Sequence, residues 1–417
     1  MTEEINLVNI YSFITPLVVV MLLMEIGYCF VTGKNYIKFP DAVTNLGTAI
    51  GNQCVNLFVA YLVVKSFGYL YEYRFFTIPT TVVNFLLLLV LFDFLFYWFH
   101  RHNHTINILW AAHMPHHTSE EFNLFVATRA SITQRLFSFT YMWPLAFLGF
   151  KPEAIYAASA VQLLLAFWHH TRAIPKMGWF EVLFNSPSYH RVHHAMNDKY
   201  LDKNFGEIFI VWDKMFGTCM VEEEEPVYGA LTPIESWNPN KIYVHFWAFL
   251  WQDCMATKSW WDKFRLWFMP LGWRPEDRRN VFRKRVKAVD LVKYDTPVKP
   301  LAKYYLLFQI FVGLGLMFVT INLHWPLLVI ERVGLTALLW LMITNWGGIL
   351  EEKKWVQKTD LLFFGLLLMS LIYFTLKFHL EWAPPYITLL TVVALIAHFE
   401  WRSKGVQKVP RHFSTLQ

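Results

Sequence analysis

Stretches of about 20 residues with almost no charge recur along this chain, and a helix of that length crosses a hydrocarbon layer of roughly 30 Å. Every backbone amide inside such a layer must be satisfied within the protein, which a helix does by itself. The expected spans lie near residues 10–31, 48–70, 79–99, 134–149, 153–169, 304–323, 326–346, 360–380 and 385–399. Composition agrees, with 55% hydrophobic, 18% aromatic and only 16% charged residues, outside the range of soluble globular chains. The expectation is an all-α, polytopic integral membrane protein of about nine spans. It divides into N-terminal spans (1–78), a central unit (79–230), an amphipathic and basic segment (231–303) and C-terminal spans (304–417).

Short loops rich in Lys and Arg stay on the cytoplasmic side. Glu3 and Glu4 precede the first span and Lys34 and Lys38 follow it, so the chain is read as starting outside. Threading the spans from there brings residues 100–133, 170–303 and the tail with Arg402, Lys404, Lys408 and Arg411 to the cytoplasmic face. Between Arg274 and Lys287, seven Lys or Arg face Glu276 and Asp277. That segment reads either as a solvated loop or as one held on anionic headgroups. The net charge of +6 follows from this loop bias and gives no reason to expect nucleic acid. Cys29, Cys54, Cys219 and Cys254 form no CxxC pair, so neither a disulfide framework nor a thiolate metal site is expected. The first apolar run lacks the preceding basic region of a cleavable signal.

Eleven of the sixteen histidines fall between His100 and His194. His100 and His104 stand at i and i+4, which puts both rings on one helix face. His113, His116 and His117 follow as HxxHH, and the pattern returns at His190, His193 and His194, with His170 where the fifth expected span ends. These nine rings exceed the four that saturate a structural zinc, so two metals are expected, each with four or five nitrogens and an open position. His102 and His169 point away from their neighbours' faces and are left out of the set. An imidazole set suits iron, zinc, copper or nickel. No HExxH glutamate and no Ser/His/Asp order accompany it, and a pair of irons activating dioxygen against a lipid explains why the site lies at a membrane. No protein nucleophile is required beyond the metal centre. Asp93 precedes His100 by two helical turns and could accept a hydrogen bond from a ligand imidazole; helix packing is its other reading. A metal transporter would place ionisable groups at the bilayer midplane, but Glu25, Lys65, Asp93, Glu331 and Arg332 are scattered.

These residues resemble the membrane-bound fatty acid hydroxylase superfamily, which includes sterol desaturases and sphingolipid hydroxylases. The likeness runs over 79–230 and includes Asp93, Tyr97-Trp98, Asn185-Ser186-Pro187, Asp202-Lys203-Asn204-Phe205-Gly206, Trp212-Asp213 and Phe216-Gly217-Thr218. Ile108-Leu109-Trp110-Ala111-Ala112-His113, Phe167-Trp168, Gly272-Trp273 and the spans after residue 300 are similar to the alkylglycerol monooxygenase family. Thr105 stands where animal members carry an acidic residue. The resemblance implies two non-haem iron ions on His100, His104, His113, His116, His117, His170, His190, His193 and His194, with Asp93 and Asn204 in support. It also implies dioxygen, a membrane lipid substrate, and tetrahydrobiopterin or another external reductant. Its activity would be cleavage of ether lipids to fatty aldehyde and glycerol. The alternative is a fatty acyl, sterol or sphingolipid hydroxylase or desaturase fed by a cytochrome or ferredoxin. The site would face the cytoplasm from the endoplasmic reticulum in a eukaryote or from the inner membrane in a bacterium.

Overall fold

A computed structural model describes residues 10–322, 326–380 and 392, all helical or irregular, with no strand among the described residues. Three long helices open the chain: α1 (Ile10–Thr32), α2 (Phe39–Glu72) and α3 (Val82–Asn103). Short helices follow, α4 (Asn107–His113), α5 (Leu124–Ala127), α6 (Arg135–Tyr141) and α7 (Trp143–Leu148), then α8 (Pro152–Phe167), α9 (Pro187–His193) and α10 (Val211–Phe216). Next come α11 (Pro239–Ala256) and α12 (Trp260–Arg265), and the described chain closes with α13 (Pro300–Ile321), α14 (Val329–Leu350) and α15 (Val356–Lys377).

Five of these, α2, α3, α13, α14 and α15, are long and apolar enough to cross a membrane, while residues 17–32 of α1 and all of α8 are shorter apolar stretches. The fourth expected span, 134–149, is not a span. Pro144 has no N–H and its ring crowds the carbonyl four residues back, so the helix breaks at Met142 into α6 and α7. Gly149 ends α7 at φ 114°, where a Cβ would collide with the Phe76 backbone. The ninth expected span, 385–399, lies outside the described residues apart from position 392.

At 34 residues α2 is about 51 Å long at 1.5 Å per residue, well beyond a bilayer core. Its start escaped the hydropathy reading because Asp41, Asn45, Thr48 and Asn52 line one helical face there, and all four are buried. The C-terminal half of α2 joins α3, α7 and α8 around Val59, Val63, Phe67, Leu88, Phe92, Leu145 and Ile155. Its N-terminal half joins α13 and α14 around Val43, Ile50, Leu339, Met342, Ile343 and Trp346. Gly47 and Gly51 make a small-residue stripe of the kind that lets membrane helices approach. A side chain at Gly51 would run into the Tyr243 hydroxyl. Polar groups between α13, α14 and α15 match one another. Gln309 donates to Asp360 (3.0 Å), Trp346 donates to Gln309 (2.8 Å), and the Tyr305 hydroxyl donates to Asp360.

Candidate metal centre

Four chain segments deliver the rings. His100 lies in the last turn of α3 and His104 caps it. His113 ends α4, after which Met114–Thr118 tightens into a 3₁₀ turn carrying His116 and His117. His170 follows the end of α8, and His190 and His193 belong to α9, capped by His194. Pro187 opens α9 at a position that needs no N–H. The Glu181 carboxylate accepts the hydroxyls of Ser186 and Ser188 at 2.7 Å each.

All nine rings converge, in two groups. His100, His104, His113, His117 and His193 form one, and His116, His170, His190 and His194 form the other, with the candidate ligand atoms of each within 4.8 Å of one another. Neither HxxHH triplet stays together, because the 3₁₀ turn and the end of α9 redirect successive rings. His116 leaves its neighbours for the second group, and His193 leaves its own for the first. His102 and His169 stand in neither group; the His102 Nδ1 lies 2.9 Å from the Tyr141 hydroxyl.

The donors fit a metal. Nε2 atoms face one another at 3.1 Å (His100, His113) and 3.0 Å (His113, His117) in the first group. In the second the separations are 3.2 Å (His116, His170) and 2.9 Å (His170, His190). The Nε2 atoms of His104, His193 and His194 are buried without a hydrogen-bond partner. With metal–nitrogen bonds of about 2.1 Å, ligands at right angles sit about 3.0 Å apart and tetrahedral ones about 3.4 Å. The observed pairs lie close to this range, as rings placed to share one cation would.

Backbone carbonyls fix the tautomers. Nδ1 of His100 donates to Phe205 O (2.9 Å), that of His193 to Lys203 O (2.9 Å), that of His116 to Arg129 O (3.0 Å) and that of His170 to Ala166 O (3.1 Å). Each such bond turns the Nε2 lone pair inward. Burial first, and neighbouring imidazoles second, hold His113, His117, His190 and His194 well below the ordinary imidazole range. Burial takes His116 down to about 4. These five rings are therefore neutral, as ligands must be.

The bond from a ligand imidazole to Asp93, expected from the sequence, is not made. Asp93 accepts Ile208 N (2.9 Å), Phe209 N (3.0 Å) and Trp212 Nε1 (2.9 Å). It holds the loop that presents the Phe205 carbonyl. Asn204 touches no ring either: at φ 56° its amide donates to Tyr189 O (3.0 Å) and Met220 O (2.8 Å) and accepts from Met220 N (2.8 Å). Asp213 completes the frame by accepting Phe205 N (2.8 Å), Gly206 N (2.7 Å) and the Thr218 hydroxyl (2.7 Å).

Two supports were missed in the sequence. Arg129 is buried against Asp41 of α2 (3.1 Å) and donates to Asn45 (2.8 Å), Pro115 O (3.2 Å) and Thr118 (3.0 Å), bracing the turn that carries His116 and His117. Glu25 of α1 accepts the Thr171 hydroxyl (2.5 Å) and Leu124 N (2.7 Å) next to His170. An acid inside an apolar run is costly unless partnered, which was the available signal; its partners lie too far away in sequence to be read from spacing.

Residues 85–218 match the family Fatty acid hydroxylase, so the helical membrane scaffold and paired imidazole groups define an oxidoreductase of that class. The chain is 35% identical to alkylglycerol monooxygenase of Homo sapiens over 305 residues, covering 71% of this chain and 67% of the relative. It is 29% identical to that of Danio rerio over 355 residues, 84% and 79% of the two chains. An ornithine lipid hydroxylase of Rhizobium tropici is 28% identical over 131 residues, 31% of this chain and 40% of the relative. The chain belongs to the alkylglycerol monooxygenase family. No solved structure matches it.

Proposed function

We propose that this protein oxidises the ether-bearing carbon of alkylglycerols with dioxygen, using two non-haem irons and a tetrahydropterin as reductant. The carrying observation is the sorting of nine imidazoles into a group of five and a group of four, with Nε2 atoms aimed inward. His100, His104, His113, His117 and His193 would hold one iron and His116, His170, His190 and His194 the other. When bound, the irons supply reduction of dioxygen and delivery of one oxygen atom to a carbon–hydrogen bond.

The chain's own part is to hold and to exclude. The carbonyls of Phe205, Lys203, Arg129 and Ala166 keep protons on Nδ1 and away from the centre. Phe205 covers His100, His104 and His193, while Phe122 stacks on His170 at 5.6 Å between ring centroids. These walls keep water from the reacting carbon. Which carbon reacts is a matter of how the alkyl chain is held. Two electrons from the pterin and two protons leave one oxygen atom in the substrate and the other in water. The resulting hemiacetal collapses to a fatty aldehyde and a free glycerol hydroxyl, so no hydrolytic residue is needed. Lys and Arg bias among the loops supports a cytoplasmic position for the site, in the endoplasmic reticulum or a bacterial inner membrane according to source.

The ornithine lipid hydroxylase similarity, confined to 131 residues, favours a second reading: hydroxylation of an acyl chain with a cytochrome or ferredoxin as donor. Purified iron-loaded protein given labelled alkylglycerol, dioxygen and tetrahydropterin should release labelled aldehyde, with ceramide and a fatty acyl lipid as competitors. A hydroxylated acyl chain and no aldehyde would establish the second reading.

A further inference from the structure

Residues 260–268 read WWDKFRLWF. At 100° per residue, Trp260, Trp261 and Phe264 of α12 share an arc of about 100°, Phe268 lies three residues past its end, and the exposures of the four are 82%, 62%, 60% and 60%. The rings adjoin in series, Trp261 to Phe264 at 5.8 Å and Phe264 to Phe268 at 5.6 Å between centroids. This face is not half of a missing core, because α12 already has one beneath it. Leu266 and Trp267 pack with Leu250, Trp247 and Trp273 over Ala111 of α4.

The unit is stitched to the chain between two candidate ligands. Asn107 N donates to Met269 O (3.0 Å), Ile108 N to Trp267 O (2.9 Å) and Leu271 N to Thr105 O (2.8 Å), while the Asn107 side chain donates to Leu266 O (3.0 Å). His104 lies just before this seam and His113 just after it. Thr105 is two residues past the end of α3, whose 22 residues make a helix about 33 Å long, enough to cross a bilayer core. The aromatic face is therefore carried at the level where that span leaves the membrane, the depth at which Trp is enriched.

Charge specifies the surface. Between residues 257 and 287 ten Lys and Arg stand against three acidic residues. Asp253, buried in α11, gathers Arg274, Arg278 and Arg283 at 2.7, 3.4 and 2.6 Å, which folds the basic segment onto the same unit. Arg279 and Lys284 are 64% exposed, each paired with an exposed acid, Glu276 and Glu235, and with Asp253 and Glu235 added the ten bases still outnumber five acids. An aromatic face flanked by excess positive charge complements an anionic lipid surface.

We propose that residues 260–268 form an in-plane membrane anchor whose rings enter the headgroup–acyl boundary of an anionic leaflet, and that this anchor sets the depth of residues 105–108 and hence of the histidines on either side. The anchor acts apart from the transmembrane spans and requires no particular substrate.

The full-length protein carrying Phe264→Cys, labelled with an environment-sensitive fluorophore and compared with the unsubstituted protein taken through the same labelling, is placed in nanodiscs of phosphatidylcholine with and without phosphatidylglycerol. Quenching by a lipid with its nitroxide high on the acyl chain should exceed quenching by aqueous iodide several-fold, and more so with phosphatidylglycerol. Quenching by iodide alone, or by neither probe as under a protein cover, overturns the proposal. A spin label at Thr105→Cys reads the second half: Trp260→Ser/Trp261→Ser/Phe264→Ser/Phe268→Ser should move it towards water. An unchanged label depth in a protein that retains its metal would show that the face does not set the level.

Discussion

The Nδ1 of His100 lies 2.9 Å from the carbonyl oxygen of Phe205, and two residues earlier the carbonyl of Lys203 receives His193 at the same distance. Asn204 sits between them in the left-handed region, tied by its amide to Tyr189 and Met220. One backbone turn thus orients two rings of one group. Both groups consist of imidazoles alone, so their ligands bring no negative charge to a bound cation.

Replacing any of the nine converging histidines by Ala should abolish turnover and lower bound metal. His102→Ala and His169→Ala should retain the metal, since neither ring stands in either group, although His169 is buried and its loss should lower the melting temperature. Metal analysis of the purified set, alongside activity, decides each position. Zinc in a recombinant preparation carries no weight, because imidazole sites bind it readily.

Asp93→Asn keeps the shape of the side chain but turns an amide NH₂ towards backbone N–H groups that need an acceptor. The loop bearing Phe205 should loosen, with metal affinity falling by about tenfold, the lower end for groups that support ligands. Competition against a chelator measures this. Unchanged affinity with a lowered melting temperature would leave Asp93 with a packing role only.

Arg129 and Asp41 form a buried pair, 3% and 4% exposed. Arg129→Met should destabilise by about 3–5 kcal/mol through the uncompensated carboxylate it leaves. Arg129→Met/Asp41→Asn should recover part of that. Equal loss in the single and double variants, read by thermal unfolding in one detergent, would mean that the ion pair is not what braces the turn.

Burial raises the Glu120 carboxyl from 4.5 to about 6. Between those values the folded chain keeps a proton that the unfolded chain has lost, so this group's stabilising contribution falls as pH rises through about 6. Glu120→Gln should therefore melt higher than the parent at pH 8 and level with it at pH 4.5. The opposite ordering would show that the ionised carboxylate is favoured by its contacts, the Tyr294 N–H among them.

Histidine spacing found eight of the nine rings that converge among the described residues, because i, i+3 and i+4 positions stay close, and the ninth, His170, came from its place at the end of the fifth expected span. It could not assign rings to groups, since that depends on where α4 tightens at Met114 and where α9 stops at His193. Hydropathy located the long spans but read Pro144 through, and it clipped α2 where Asp41, Asn45, Thr48 and Asn52 face inward rather than towards water. Asp93 stands out in the sequence as a costly acid in an apolar helix, yet its partners at 208–212 lie more than a hundred residues away. No periodicity reports such a pairing.

The crossing of each HxxHH triplet between groups has a consequence for how the centre would fill. His113 and His117 serve one group while His116, between them, serves the other; His193 is likewise flanked by His190 and His194 of the opposite group. Seating one cation would draw in both turns and so place the remaining rings for the next. Uptake would then be cooperative, with half-filled molecules scarce, and releasing either ion would loosen the hold on its companion.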